Sequence, residues 1–406
     1  MEGKLFARAC GLGGNMSRNT ESFRSLGLDI DPKKLPTPIY IVDERLIEKN
    51  LKVLKEVMDR TGCRILLAQK AISMFSLYPL IGRYLSGTAA SSLFEARLGF
   101  EEMKGGEVHI YSPAYREDEF DEIVGICDHI IFNSFSQWDK YRDRVKASGR
   151  KIECGLRINP EYSEIETDIY NPCCTGSRLG ITLENFRDDA LEGVDGLHFH
   201  TMCEQNSDVL KRTIEVVDRK FGKYIEKMKW INFGGGHHIT RPDYDPETLI
   251  DCIMFIKNKY GVEVYLEPGE AIALNAGYLA ARVLDFVRNG MDIAILDTSA
   301  ACHMPDVIEM PYRPKIVGAG EPGQYPHTYR LGGLTCLAGD VIGDYSFEGP
   351  LRTNDILIFT DMAIYTMVKN NTFNGVNLPA IASYNDEEGL KIIRTFGYED
   401  FKRRLS

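Results

Sequence analysis

The chain has no uninterrupted apolar run of the roughly 18–20 residues that a bilayer requires, so no membrane-spanning helix is predicted. It has no CxxC pair. Its ten cysteines are scattered, which argues against a disulfide framework and fits reduced thiols in a cytoplasmic protein. There is no excess of positive charge: 59 acidic against 48 basic side chains leave a net charge of −11. Nucleic acid and anionic membrane are therefore poor partners, whereas a cationic small molecule is compatible. The opening residues, Met1-Glu-Gly-Lys-Leu-Phe-Ala-Arg8, lack the apolar core of a signal peptide. Metal-ligand spacing is missing as well. Cys173-Cys174 and His237-His238 have no further ligand at the spacing of a metal site, so none is predicted.

What is present is a soluble globular composition, 44% hydrophobic and 26% charged over 406 residues, long enough for two domains. Residues 1–35 read as a loose lead-in. A strand over 39–42 follows, then a helix with the stripe Leu46, Ile47, Leu51, Leu54, Met58, ended by Gly62. Apolar runs recur at 64–69, 87–92, 107–112, 129–133, 152–158, 194–200, 230–234 and 262–267. Segments of helical length, such as Phe94–Met103, Glu117–Ile126 and Asp208–Met228, separate most of them. Eight strand–helix repeats over 36–275 predict a (β/α)8 barrel; a doubly wound open sheet is the alternative. The pattern then changes. Asn289-Gly290 joins two strand-like runs, and further strands are expected at 314–318, 327–331, 355–360 and 363–368, giving a mainly antiparallel β-domain over 276–406 that the strand at 39–42 could join.

Several barrel strands end on reactive or permissive residues. Arg64-Ile-Leu-Leu-Ala-Gln-Lys70 delivers a lysine; in an apolar mouth its pKa falls and the amine becomes nucleophilic, while at an open rim it would snorkel to water. His198 and His200 share one face of the sixth strand. Gly234-Gly235-Gly236 follows the seventh, where bare backbone N–H groups can cradle a phosphate. Glu267 ends the eighth, with Glu270 just beyond a Pro-Gly turn, and a carboxylate inside a barrel mouth requires a cationic partner. An activated lysine, a phosphate cradle, a flat ring and an acid together fit pyridoxal 5'-phosphate: the lysine to bond it, the glycines for its phosphate, the imidazole against its ring and the acid at its pyridine nitrogen.

These motifs resemble the fold-type III pyridoxal phosphate decarboxylases, the group that includes ornithine and diaminopimelate decarboxylases, over residues 36–380. Ala68-Gln-Lys70-Ala, Leu197-His-Phe-His200, Phe233-Gly-Gly-Gly236 and Glu267-Pro-Gly269 are similar to that family's cofactor motifs. The resemblance implies further roles. Cys336, in Leu334-Thr-Cys336, corresponds to a thiol that protonates the product and crosses over from a partner subunit, which implies a homodimer with shared active sites. Asp340 stands where a substrate-binding acid is found. Tyr365, in Met362-Ala-Ile-Tyr365, corresponds to a tyrosine that touches the phosphate.

Two departures stand out. Basic members carry an arginine after Glu-Pro-Gly, against the phosphate, where this chain has Glu270; Cys203 replaces a usual serine. A second anion beside a phosphate is repelled, so Glu270 is expected to face substrate. Glu270, the segment Ala301-Cys-His-Met-Pro-Asp306-Val-Ile-Glu-Met-Pro-Tyr-Arg313 and Phe373-Asn-Gly375 resemble one branch, the carboxynorspermidine/carboxyspermidine decarboxylases. That branch implies Glu270 and Asp306 as acids for a polycationic amino acid and decarboxylation to norspermidine or spermidine, in polyamine biosynthesis. The alternatives are a diaminopimelate- or ornithine-type decarboxylase and a catalytically silent homologue that regulates polyamine synthesis. Asp306 and Asp340 could also be turn residues.

Overall fold

A computed structural model describes residues 18–406. The chain divides into two compact units: residues 43–277 with 363–369, and the remainder of the described chain. The first strand, β1 (Ile39–Asp43), belongs to the sheet of the second unit, and Asp43 at its end caps the helix Glu44–Thr61 by accepting the Arg45 N–H at 3.0 Å.

The first unit is a closed parallel barrel of eight strands. In order they are β2 (Arg64–Ala68), β3 (Gly87–Ala90), β4 (Glu107–Tyr111), β5 (His129–Phe132), β6 (Glu153–Arg157), β7 (Gly196–His198), β8 (Trp230–Asn232) and β9 (Glu263–Leu266). Pairing of Arg64 with Tyr265 and Ile65 with Leu266 closes the ring. The strands are buried nearly throughout, which is why they read as continuous apolar runs rather than alternating ones. Leu66, Ala89, Ile131, Trp230 and Tyr265 pack together inside. Trp230 needs room from its neighbours: a Cβ on Gly196 would lie 2.1 Å from the indole, and one on Gly155 2.3 Å. Helices Leu93–Glu102, Phe120–Ile126, Phe135–Ala147, Ser207–Ile225 and Pro246–Tyr260 follow β3, β4, β5, β7 and β8. Between β6 and β7 there are only short 3-10 turns.

The second unit is a nine-stranded mixed sheet built from β1 and from β10 (Gly277–Asn289), β11 (Met291–Leu296), β12 (Ala319–Gly320), β13 (His327–Gly332), β14 (Val341–Phe347), β15 (Ile356–Thr360), β16 (Ala380–Asn385) and β17 (Gly389–Arg394). Its order is β12-β14-β13-β11-β10-β1-β16-β17, with β15 also on β10. Asn289-Gly290 makes the expected hairpin between β10 and β11. The sheet is mixed because β11 and β13 run parallel.

Three local expectations change. Residues 363–368 form turns within the barrel unit, not a strand; Tyr365 has φ 55°, which no strand accommodates. Residues 314–318 make a single bridge, Ile316 to Phe359. The strands β14, β16 and β17 were not anticipated, since Gly343 and Asp344 interrupt one and an exposed edge carries the last. Part of the lead-in also differs. Residues 1–17 lie outside the described residues, but Phe23, Leu28, Ile30 and Leu35 are buried against Ile39, Tyr278, Ile356 and Ala382, so this stretch completes the sheet's core.

Candidate active site

The C-terminal ends of the barrel strands converge on one mouth, as parallel strands in a barrel must. Lys70 lies two residues past β2. Its neighbour Gln69 is fully buried, with Nε2 donating to the Glu95 carbonyl at 2.7 Å and Oε1 accepting from the Tyr78 hydroxyl at 2.9 Å. Gln69 is thus locked into the wall, and Lys70 Nζ lies 3.5 Å from His200 Nε2. The Lys70 side chain is exposed at the mouth; desolvation by the surrounding protein, and then the Arg157 guanidinium, lower its pKa from the usual lysine range.

His200 follows β7. Its Nδ1 accepts the Gly235 N–H at 2.7 Å, which sets the tautomer: in the neutral ring the proton sits on Nε2, toward Lys70. Burial, then Lys70 and Arg157, push His200 well below its ordinary pKa, so the ring is neutral. Arg157, the last residue of β6, is buried; it donates to the His200 carbonyl at 3.1 Å and lies 4.6 Å from the Tyr111 ring centre.

Glu267 follows β9. Its Oε1 accepts from Asn232 Nδ2 at 2.7 Å, and Oε2 is 3.3 Å from His198 Nε2. Burial opposes ionisation here, but the His198 and Asn232 contacts outweigh it and hold the carboxyl down at about 2. Asn232 Oδ1 in turn accepts the Gly234 N–H at 2.8 Å.

The three glycines therefore do something the sequence did not reveal. Two of their N–H groups are already engaged, by Asn232 and His200, and the Gly236 N–H has no hydrogen-bond partner among the described residues. Their lack of side chains permits close approach. A Cβ would lie 2.4 Å from the Phe199 carbonyl oxygen at Gly234, 2.4 Å from that of Glu267 at Gly235, and 2.0 Å from that of Met202 at Gly236. The triplet draws the chains after β7 and β9 against β8, and so brings His200 and Glu267 into one mouth.

Glu270 opens the short helix Glu270–Ala273, and its Oε2 is 2.8 Å from His238 Nε2. The fold thus supplies the carboxylate beside His238 that chain spacing did not show, and the Glu204 carboxylate lies in the same cluster. Tyr365 belongs to this unit, its N–H donating to the Ala71 carbonyl at 2.9 Å. Lys70, His200, the glycines, Glu267, Glu270 and Tyr365 are thus all carried by the barrel unit. The sequence reading missed Arg157, Asn232 and the pairing of His198 with Glu267. Polar residues closing β6, β7 and β8 were the signal that could have found them.

Cys336, Asp306 and Asp340 belong to the sheet unit. Cys336 is exposed in the loop between β13 and β14, among the exposed side chains Leu334, Leu337 and Phe373. Asp306 starts the short helix Asp306–Glu309 and is half-buried. Asp340, for which the resemblance implies a substrate-binding role, is held by its neighbours in the sheet unit. Its carboxylate is buried, Oδ2 accepting from the Ser299 hydroxyl at 2.9 Å, the Thr335 hydroxyl at 2.7 Å and the Thr335 N–H at 3.1 Å, and Oδ1 from the Ala301 N–H at 3.2 Å. These bonds join the Thr335 loop to Ser299 and Ala301.

A sequence profile described as "Pyridoxal-dependent decarboxylase, C-terminal sheet domain" matches residues 39–363. The chain is 42% identical to a carboxynorspermidine/carboxyspermidine decarboxylase of Campylobacter jejuni, across 92% of this chain and 99% of the relative. It is also 42% identical to a carboxyaminopropylagmatine decarboxylase of Synechocystis, across 91% and 96%. The crystal structure of a Campylobacter jejuni carboxynorspermidine decarboxylase complexed with norspermidine superposes with a TM-score of 0.84 at 41% identity, covering 91% of this chain and all of that one, 100%. The residues present suit the cofactor of such enzymes: a desolvated primary amine at Lys70, an ionised acid at Glu267, a neutral flat ring at His200 and, at Gly236, an N–H without a partner among the described residues in a turn that admits no side chain. The chain belongs to the pyridoxal-dependent decarboxylases and uses pyridoxal phosphate.

Proposed function

We propose that this enzyme decarboxylates carboxynorspermidine and carboxyspermidine, releasing norspermidine and spermidine. The observation that carries the reading is the near-full-length likeness to the Campylobacter jejuni enzyme, with Glu270 beside the mouth. Bound pyridoxal phosphate supplies the electron sink for the pair left when carbon dioxide departs. Lys70 would hold the cofactor through its side-chain amine and would yield that position to the substrate's α-amine. Its lowered pKa supports this, because a neutral amine is the nucleophile. Glu267, ionised and braced by His198 and Asn232, would hold a proton on the pyridine nitrogen. His200, oriented by the Gly235 N–H, would take the cofactor ring, and the Gly236 N–H and Tyr365 would take its phosphate. Cys336 returns a proton to the substrate's α-carbon, serving the site of a second copy in a homodimer. Glu270 and Asp306 neutralise the distal ammonium groups. The scattered free cysteines fit a cytoplasmic enzyme.

The Synechocystis relative motivates a second reading, a substrate ending in a guanidine. His238 occupies one oxygen of Glu270 at 2.8 Å. The oxygen that is left suits the point charge of an ammonium better than the two-pronged fork of a guanidinium. Comparing kcat/KM for carboxynorspermidine, carboxyspermidine, carboxyaminopropylagmatine, diaminopimelate and ornithine on one preparation tests both. Preference for a carboxylated polyamine ending in ammonium supports the first. Preference for carboxyaminopropylagmatine selects the second, and preference for diaminopimelate or ornithine rejects both.

A further inference from the structure

Phe373-Asn374-Gly375 is a motif that the chemistry above leaves without a role. Its backbone is unusual. Asn374 has φ 54° and ψ 13°, and Gly375 follows at φ 73°, two successive left-handed residues. Glycine enters that region freely; a non-glycine residue persists there where its surroundings hold it. At Asn374 the conformation coincides with a long-range contact: the side-chain Oδ1 accepts the N–H of Cys336 at 2.7 Å.

The Cys336 loop has its own fastenings. Thr335 donates its N–H and hydroxyl to Asp340, Leu337 N–H lies 3.4 Å from Thr335 Oγ1, and the Asp340 N–H returns to the Leu337 carbonyl at 2.9 Å. These bonds hold the residues on either side of Cys336. Its own N–H is taken from outside the loop, by Asn374. The accepting segment is itself tied down: Phe373 N–H reaches Asn371 Oδ1 at 3.0 Å, and Asn371 Nδ2 donates to the Ala301 carbonyl at 2.8 Å. All of these residues belong to the sheet unit.

We infer that Asn374 is a positioning residue that fixes the backbone at Cys336, and with it the approach of the thiol to the α-carbon. The inference rests on the reading of Cys336 as the proton donor. With the thiol in place, the electron pair left on the α-carbon takes the thiol proton, and the thiolate regains one from water. With the thiol displaced, that pair is protonated instead at the cofactor's former aldehyde carbon. Hydrolysis then yields an aldehyde and pyridoxamine phosphate, its water replacing the one released when amine and pyridoxal condense, so one substrate and one pyridoxal phosphate become carbon dioxide, aldehyde and pyridoxamine phosphate. Displacements near 1 Å in such geometries lower rates by up to about 100-fold.

The test uses Asn374→Gly, which keeps the left-handed backbone and removes the acceptor, and Asn374→Asp, which restores an acceptor, each as holoenzyme with its melting temperature checked. Two readouts are compared: the iodoacetamide alkylation rate at Cys336, followed by peptide mass spectrometry, and pyridoxamine phosphate formed per turnover. The expected result for Asn374→Gly is faster alkylation by roughly threefold or more, and kcat lowered about tenfold with KM little changed while pyridoxamine phosphate rises. Asn374→Asp should return both toward the parent. Parent-like alkylation and partition in Asn374→Gly would overturn the inference. Cys336→Ser separates the two ideas: if it turns over normally, the proton-donor reading fails, and the alkylation rate alone still decides whether Asn374 positions the thiol.

Discussion

At the scale of single residues, the barrel mouth is a set of groups whose environments push them in opposite directions. Lys70 is pushed below the usual lysine range by desolvation and by Arg157, while Glu267 is kept charged by His198 and Asn232. Lys70→Ala should abolish the visible absorbance of bound cofactor together with turnover; a purified variant that keeps both disproves the assignment. Glu267→Gln removes the negative charge but leaves the shape and the Asn232 contact. It should lower kcat by roughly 100-fold or more, the usual worth of a proton held at the right atom, with cofactor still bound. A kcat within about threefold of the parent would remove Glu267 from the pyridine nitrogen. These residues were legible in the sequence because each ends an apolar strand. Their partners were not: nothing in the spacing of Asn232, His198 and Glu267 says that three different strands bring them within hydrogen-bond reach.

At the scale of elements, the turn after β8 has a different physical basis from the one its composition suggested. Its glycines serve backbone packing as much as ligand contact. Gly236 combines φ 83° with a neighbouring carbonyl 2.0 Å from any added Cβ. Gly236→Ala must therefore move the chain carrying Met202 and Cys203 or distort its own turn. A loss of roughly 1–3 kcal/mol in stability is expected, with weaker cofactor binding, measured by urea unfolding and by fluorescence titration with pyridoxal phosphate. Parent-like values for both would show that the turn has slack. Strand β14 illustrates the opposite failure of local reading. Val341-Ile-Gly-Asp-Tyr-Ser-Phe347 has no clean apolar alternation, yet it pairs along β13 because the sheet supplies the partner.

At the scale of the whole molecule, acid should unfold the protein early. Burial holds His129 at about 2, His237 and His303 at about 4, and His200 well below its ordinary value. In the unfolded chain a histidine takes a proton near pH 6.5. Below that pH the unfolded state binds protons that the folded state refuses, so stability falls as pH falls, by about 1.4 kcal/mol per pH unit for each proton. Glu267, depressed to about 2, adds a further loss once pH drops below about 4.5. Urea midpoints measured from pH 7.5 to 4.5 should fall steadily; a flat profile would mean that these rings are protonated or exposed in the folded protein.

Sequence by itself determined the architecture and the reaction type. Eight buried parallel strands must be continuous apolar runs, and a lysine, a histidine, a glycine turn and an acid at the ends of four of them are visible without coordinates. Tertiary structure decided what each polar group is free to do. It ties Glu270 to His238, engages two of the three glycine N–H groups internally, bonds Asp340 to Ser299 and draws Asn374 to the backbone of Cys336. The reason is physical. Burial and periodicity are local properties of a chain, whereas a hydrogen bond between residues far apart in sequence exists only once the backbone has closed around it.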